Sequence, residues 1–314
     1  MLRYTADIRT LVFVVLYFVF TAGGWLLFPL ASLAGKIGIV VLLCVWSFFC
    51  AVIIHNTIHC PIFRKKSWNK VFQVILSFTY GHSVSAYVPG HNFSHHRHTQ
   101  TKKDNIRTSK MQFRWNLLNQ LLFFFRMSND IMINEFRFFL KIRKEKPKWI
   151  RQYLFELALV LGTKIGLTIL NWQLALFLIW IPHLYAVWGI VSTNFWQHDG
   201  CDPEHEYNHS RTFTSKLLNY FTFNNGYHAA HHEKPGLHWS LLPAFHAEHL
   251  AEHTHPNLQR NSLFMFCWEY CIWPGKRVDY LGNPVVLPIE GPDHDWVEEV
   301  WETAHKNNVS FGVE

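Results

Sequence analysis

Apolar and polar positions separate along this chain into long blocks rather than the short alternations of a soluble domain. Leu11 to Leu30 is a run of twenty residues without a charge, and Ile37 to Ile54 is a second, of eighteen. At about 1.5 Å of rise per residue, each reaches roughly 27–30 Å as a helix, enough to cross the hydrocarbon core of a bilayer. Two further apolar segments, about 152–170 and 174–197, are parted only by Asn171-Trp172-Gln173. The pattern predicts four transmembrane helices in two hairpins, with the segments 55–150 and 198–314 outside them. The first run is too long for the apolar part of a signal peptide and is followed at once by a second span. It also lacks a small-residue cleavage site, so it is expected to stay in the mature protein. Leu117–Phe125 and Leu263–Trp273 are aromatic-rich but too short to span. They are expected to be interfacial helices or core of the polar segments.

Composition agrees. The 314 residues are 49% hydrophobic and 17% aromatic but only 16% charged, against about 25% charged in soluble domains. Of the 29 Lys and Arg, 17 lie between Cys60 and Ile150, and the turns within the hairpins hold at most Lys36. Basic residues concentrate on the cytoplasmic side of membrane proteins, so 60–150 is expected there, with both termini on the same side. The basic segment also suits anionic lipid, or docking of an acidic electron donor. The six cysteines form no CxxC pair and point to no disulfide framework.

There is no internal repeat, low-complexity tract or Gly/Ser linker, so 1–314 is expected to be a single domain. Pro89-Gly90 is expected to stop one element and let a helix begin at His91. The tail after Pro274 is polar and turn-rich, with no role evident.

Three histidine clusters fall just outside the apolar runs: His55-Asn-Thr-Ile-His59, His91-Asn-Phe-Ser-His95-His96 and His228-Ala-Ala-His231-His232. On an α-helix, His55 and His59 project from one face, one turn apart, and His91 with His95 repeats that geometry. His96 adds a ring about 100° around. His228, His231 and His232 are expected to converge from one face. Neutral imidazoles suit iron, copper, zinc and nickel, and eight of them without a carboxylate exceed one tetrahedral zinc. Two metals at a membrane edge are expected. A ninth ligand, His198, ends the fourth run together with Asn194, which is expected to act through a water or to support the shell. A polar face there is expensive unless it points into the bundle. His98 is a candidate supporting residue, and Asp199, Glu233 and Asp104 are candidates to orient ligand imidazoles. His238, His246, His249, His253 and His255 are irregularly spaced and are expected to serve shell hydrogen bonds or surface.

These boxes resemble those of the membrane fatty acid desaturase and hydroxylase superfamily: HxxxH, HxxHH or HxxxHH, then HxxHH. His55–His59, His91–His95–His96 and His228–His231–His232 match in order, and Asn194 and His198 match the extra ligand region. The stretch His232-Glu-Lys-Pro-Gly-Leu-His-Trp-Ser-Leu-Leu-Pro is similar to the family's segment after the third box. The likeness covers roughly 10–260. The three residues between His91 and His95 are a permitted variant that does not sort the subfamily, and no HPGG-type cytochrome b5 module stands at either end. The resemblance implies an all-α integral membrane protein whose cytoplasmic helical cap holds a di-iron site. It implies two iron ions with O2 as co-substrate, a lipid acyl-chain substrate and an external electron donor of the ferredoxin or cytochrome b5 type. No nucleic-acid partner is implied. The setting would be a bacterial inner membrane, or the endoplasmic reticulum in a eukaryote.

Cleaving an unactivated C–H bond needs an oxidant that side-chain acids and bases cannot supply, whereas a metal pair with O2 and two electrons can. Aromatic residues near the boxes (Trp68, Tyr80, Phe195, Trp239 among them) are candidates to line an apolar tunnel. Desaturation is the first expectation, and hydroxylation of a fatty acyl, carotenoid or similar substrate is the alternative, since both begin with the same hydrogen abstraction. A metal transporter would place histidines near mid-membrane beside acidic residues. A zinc hydrolase would need fewer ligands and an open coordination position.

Overall fold

The computed structural model describes residues 1–288 and 291–300; the parts of the expected cap and tail at 289–290 and beyond 300 lie outside the described residues. Asp7–Leu27 (α1) ends in a 3₁₀ turn, Phe28–Leu30, and Leu33–His59 (α2) begins where the Ser32 hydroxyl accepts the Gly35 N–H at 3.3 Å. Lys66–Tyr80 (α3) and Val84–Val88 (α4) come next, and α4 continues through a π-helical segment, Pro89–His95, into the single turn His96–His98 (α5). Asn116–Ile142 (α6) is much longer than the expected 117–125, and Pro147–Leu170 (α7) succeeds it. Trp172–Ala175 (α8), π-helical Leu176–Trp180 and Ile181–His198 (α9) run on without a break. Among the described residues, four stretches are long and apolar enough to cross a membrane: Asp7–Leu30, Leu33–His59, Pro147–Leu170 and Trp172–His198. Each contains one of the expected runs.

Pro89-Gly90 does not stop the helix as expected. The proline falls where α4 gives way to the π segment, so its missing N–H coincides with the change from one hydrogen-bond register to the other.

Contacts divide the described residues into two compact units, Met1–Val88 with Phe139–Ile190, and Pro89–Phe138 with 191–300. In the first unit, α3 packs on α1, α2 and α7. It buries Phe72, Leu76 and Tyr80 together with Asn69, Gln73 and Ser77, a polar mixture that hid its place among the spans. The turn between α3 and α4 is served by α7. Lys164 donates to the Gly81 carbonyl at 3.3 Å and lies 4.3 Å over the Trp180 ring. Two turns earlier, Glu156, fully buried, accepts from the Ser83 hydroxyl at 2.7 Å, the Ser85 N–H at 2.9 Å and Gln152 at 2.8 Å. A cation thus meets the C-terminal end of α3 and a carboxylate the N-terminal end of α4, the signs that helix dipoles favour.

Gly81 closes α3 in the left-handed conformation (φ 76°), and a β-carbon there would come within 2.3 Å of His183 Nδ1. Gly81→Ala is therefore expected to destabilise the protein by more than about 1 kcal/mol. Thermal unfolding in detergent checks this; an unchanged midpoint would contradict the turn.

The second unit adds Lys216–Phe221 (α10), His228–Glu233 (α11), Leu242–His249 (α12) and Leu263–Cys267 (α13). Two short parallel strands, Thr212–Phe213 and Gln259–Arg260, pair Thr212 with Gln259. Its core gathers Ile106, Met111, Phe123, Met127, Phe195 and Phe266. That cluster fixes α6, the last turns of α9 and α13 around the segments that carry histidines.

Candidate metal centre

The π-helical stretch decides how the second cluster is divided. On an α-helix His91 and His95 would share a face, as expected from their spacing. A π-helix closes i to i+5 instead, and brings His91 beside His96: their ring centroids are 4.6 Å apart and their Nε2 atoms 3.0 Å, against 5.6 Å between the His91 and His95 rings. The expectation of one shared face is corrected accordingly.

Within the second unit the imidazoles form two groups. His231 Nε2 lies 3.0 Å from His96 Nε2, and its ring stacks 6.3 Å from that of His91, which makes a trio of His91, His96 and His231. His95, His198, His228 and His232 make a quartet whose ligand atoms all lie within 4.8 Å of one another. In the quartet His198 Nε2 is 2.8 Å from His228 Nε2 and 3.2 Å from His232 Nε2. The groups abut, with the His96 and His232 rings 4.4 Å apart. The third cluster is therefore divided like the second. His228 and His232, four apart on α11, serve the quartet, and His231 turns to the trio. In the first unit, His55 and His59 end α2 with rings 5.6 Å apart.

A buried cluster of this kind tests itself for metal. His95 Nδ1 donates to Asp104 Oδ2 at 2.9 Å, both side chains wholly buried, and the carboxylate also accepts the N–H groups of Gln100 at 2.8 Å and Ile106 at 2.9 Å. Burial pushes the Asp104 carboxyl up, but the His95 ring and these N–H groups outweigh it and hold it below the usual carboxylate range. With Nδ1 turned to Asp104, His95 Nε2 is left buried without a hydrogen-bond partner. His198 is oriented likewise, through Nδ1 to the His209 carbonyl at 3.2 Å. Burial, and then the neighbouring imidazoles led by His228, hold His232 well below the ordinary histidine value, hence neutral. Neutral nitrogen lone pairs facing one another in the dry repel unless a cation sits among them. The donor set fits borderline transition metals, and seven imidazoles in one unit exceed a single tetrahedral zinc.

Asp104→Asn is expected to lower metal affinity or activity about 10–100-fold, because a ligand's hydrogen-bond partner fixes its tautomer and basicity. Metal content after dialysis against a weak chelator checks this, and wild-type retention would remove Asp104 from the role.

The remaining candidates have other surroundings. Asn194 is buried and donates to the Ile106 carbonyl at 3.2 Å, beside the Asp104 turn. His98 stands outside both groups, with Nε2 3.8 Å from Glu299. Among the described residues Asp199 orients no imidazole, contrary to expectation: its carboxylate takes Arg277 Nε at 2.9 and 3.0 Å and the Tyr270 hydroxyl, because a guanidinium and a phenol from the chain after 268 reach it first. Glu233 is exposed. His238 bonds Ser240 and His246 bonds Gln259, while His249 is half-exposed beside Glu248. Of the tunnel candidates, Phe195 is core and Trp68 is largely exposed. The His209 carbonyl, Tyr270 and Arg277 were not foreseen. The last also donates to the Thr108 carbonyl at 3.0 Å and to that of Met111.

Residues 30–262 match the model of a family described as fatty acid desaturase. No curated protein matches the chain.

Proposed function

The chain belongs to the fatty acid desaturase family, and from that premise we propose that it removes two hydrogens from a lipid acyl chain, using O2 and electrons from an external carrier. The observation that supports this reading is the pair of abutting, buried imidazole groups with one tautomer locked by Asp104. The proposed ligand set is the trio His91, His96 and His231, the quartet His95, His198, His228 and His232, and the pair His55 and His59. The pair is assigned by its match to the family's first histidine box. Asn194 is proposed to act through a water.

Two irons held there would supply the reduction of O2 and an oxidant strong enough for an unactivated C–H bond. The chain's own part is positional. Asp104 takes the Nδ1 side of His95, the His209 carbonyl does the same for His198, and burial keeps water away.

We place the site on the cytoplasmic face, with the spans paired as hairpins, on the strength of the 17 basic residues between 60 and 150. Several of these are engaged by acidic side chains near the C-terminus. Arg64, Lys65, Lys66, Arg143 and Lys144 are exposed, and they are the proposed contact for an acidic electron donor of the ferredoxin or cytochrome b5 type.

Expression in a lipid-producing host, with mass spectrometry of its lipids, tests the reading. Products lacking two hydrogens support desaturation. Products gaining one oxygen would replace it with hydroxylation. Unchanged lipids from iron-loaded protein supplied with reductant would sink both, and metal flux in liposomes without O2 consumption would mark a transporter instead.

A further inference from the structure

The strongest unassigned feature is the acidic and aromatic stretch from Asp293 to Glu299, which lies against the segment carrying Asp104. Asp293 bridges Arg107 and Lys110, whose side chains are only 3% and 1% exposed. Trp296 is 1% exposed, and its indole N–H donates to Asn105 Oδ1 at 3.0 Å. Asp295 pairs with Arg137 on α6, and Glu299 with Lys103 and Arg97. Each of these partners lies within the 97–110 loop or on the helix that packs beside it.

Two routes lead from this stretch to ligand-bearing backbone. The first is polar. Asn105 is next to Asp104 in the chain, its N–H donates to Ser94 Oγ at 2.8 Å, and that hydroxyl donates to the Lys103 carbonyl at 2.9 Å, closing the turn around the carboxylate that holds His95. The second is aromatic. The Trp296 ring lies 5.8 Å from Phe138, and Phe138 lies 5.6 Å from Phe93, inside the π-helical segment between His91 and His95. A surface ion-pair cluster contributes little. Here two cations are buried, and their shared carboxylate comes from chain far away in sequence, so the pairing fixes where the loop sits.

We infer that Asp293 and Trp296 are positioning residues of the metal centre, clamping the Asp104 turn and the π-helical segment so that His95 keeps its aim. The inference rests on the di-iron reading. Neither residue touches a proposed ligand; both act through Asn105, Arg107, Lys110 and Phe138.

The test uses full-length, iron-loaded protein in detergent and reads the rate of iron release to a ferrous chelator, beside the unfolding midpoint of the iron-free protein. Trp296→Ala is expected to release iron about 10–100-fold faster than wild type, the range for losing a ligand's support. Trp296→Phe, which keeps the ring against Phe138 but loses the N–H donor, should fall between the two. If the clamp acts through Asp104, Asp104→Asn combined with Trp296→Ala should release iron no faster than Asp104→Asn alone. Wild-type release rates in Trp296→Ala, or rates that multiply in the double variant, would overturn the inference. Should Trp296→Ala fail to fold, Trp296→Phe and Asp293→Asn carry the same comparison. A wild-type protein that takes up no iron would bring down the di-iron reading itself, a different result from iron that is bound and kept equally well by every variant.

Discussion

Replacing His95 with alanine is expected to abolish turnover while the protein still folds. Losing only a ligand's hydrogen-bond partner costs about 10–100-fold, and His95→Ala removes the ligand itself, so activity should fall by at least about 100-fold. Two things go together at this position. The quartet loses one of its four nitrogens, and Asp104, wholly buried, loses the ring N–H that it accepts. His232→Ala should behave alike, because His232 stands where the two groups abut, with rings 4.4 Å from His96 and 4.8 Å from His198. Iron content should drop with activity. The control is His249→Ala, on a half-exposed ring next to Glu248, which should leave both unchanged. A fully active His95→Ala or His232→Ala protein would end the metal-centre assignment.

The largest effect on stability is expected from Arg277→Met. The guanidinium and the Asp199 carboxylate are 7% and 1% exposed, and the carboxylate also takes the buried Tyr270 hydroxyl. Burial, and then the neighbouring Asp199 charge, push the Tyr270 hydroxyl well up, so it stays protonated and donates. Removing Arg277 leaves Asp199 charged and buried with only the phenol to answer it. Breaking a buried pair from one side costs about 3–5 kcal/mol. The variant also frees the carbonyls of Thr108 and Met111, to which Arg277 donates. Chemical unfolding in detergent checks the magnitude. Adding Asp199→Asn to Arg277→Met should recover part of the loss, since the uncompensated charge is then gone. A loss below about 1 kcal/mol, as for an exposed pair, would contradict the burial.

Much of this was legible in the residues because its signals are local. Charge-free runs of eighteen and twenty residues can hardly be anything but spans, and histidines at three- and four-residue spacings announce ligands. What local spacing could not show was the partition. His95-His96 and His231-His232 each divide between groups, and for the first pair the cause is a π-helical register that ordinary helical periodicity does not contain. α3 was hidden for a related reason: Asn69, Gln73 and Ser77 make it look like surface, yet they are buried within the first unit. Asp199 and Arg277 are 78 residues apart, and Lys110 and Asp293 are 183 apart. Pairs that distant leave no mark on either neighbourhood, so a tail that read as polar and turn-rich, without a role, holds the buried charge of Arg277.

The arrangement at Glu156 and Lys164 bears on how the chain is assembled. The α3–α4 turn presents a helix end of each sign, and its polar groups are answered from α7, which is synthesised more than sixty residues later. A buried polar group without a hydrogen-bond partner costs about 1–3 kcal/mol. Until α7 emerges, then, the polar groups of the turn are expected to stay hydrated. Assembly is expected to follow an order: α3 and α4 form first, and the turn between them packs only when α7 brings Glu156 and Lys164. A ribosome-bound chain ending before α7 should accordingly leave a cysteine placed at Ser83 open to a membrane-impermeant thiol reagent, and the same cysteine should be shielded once α7 is complete.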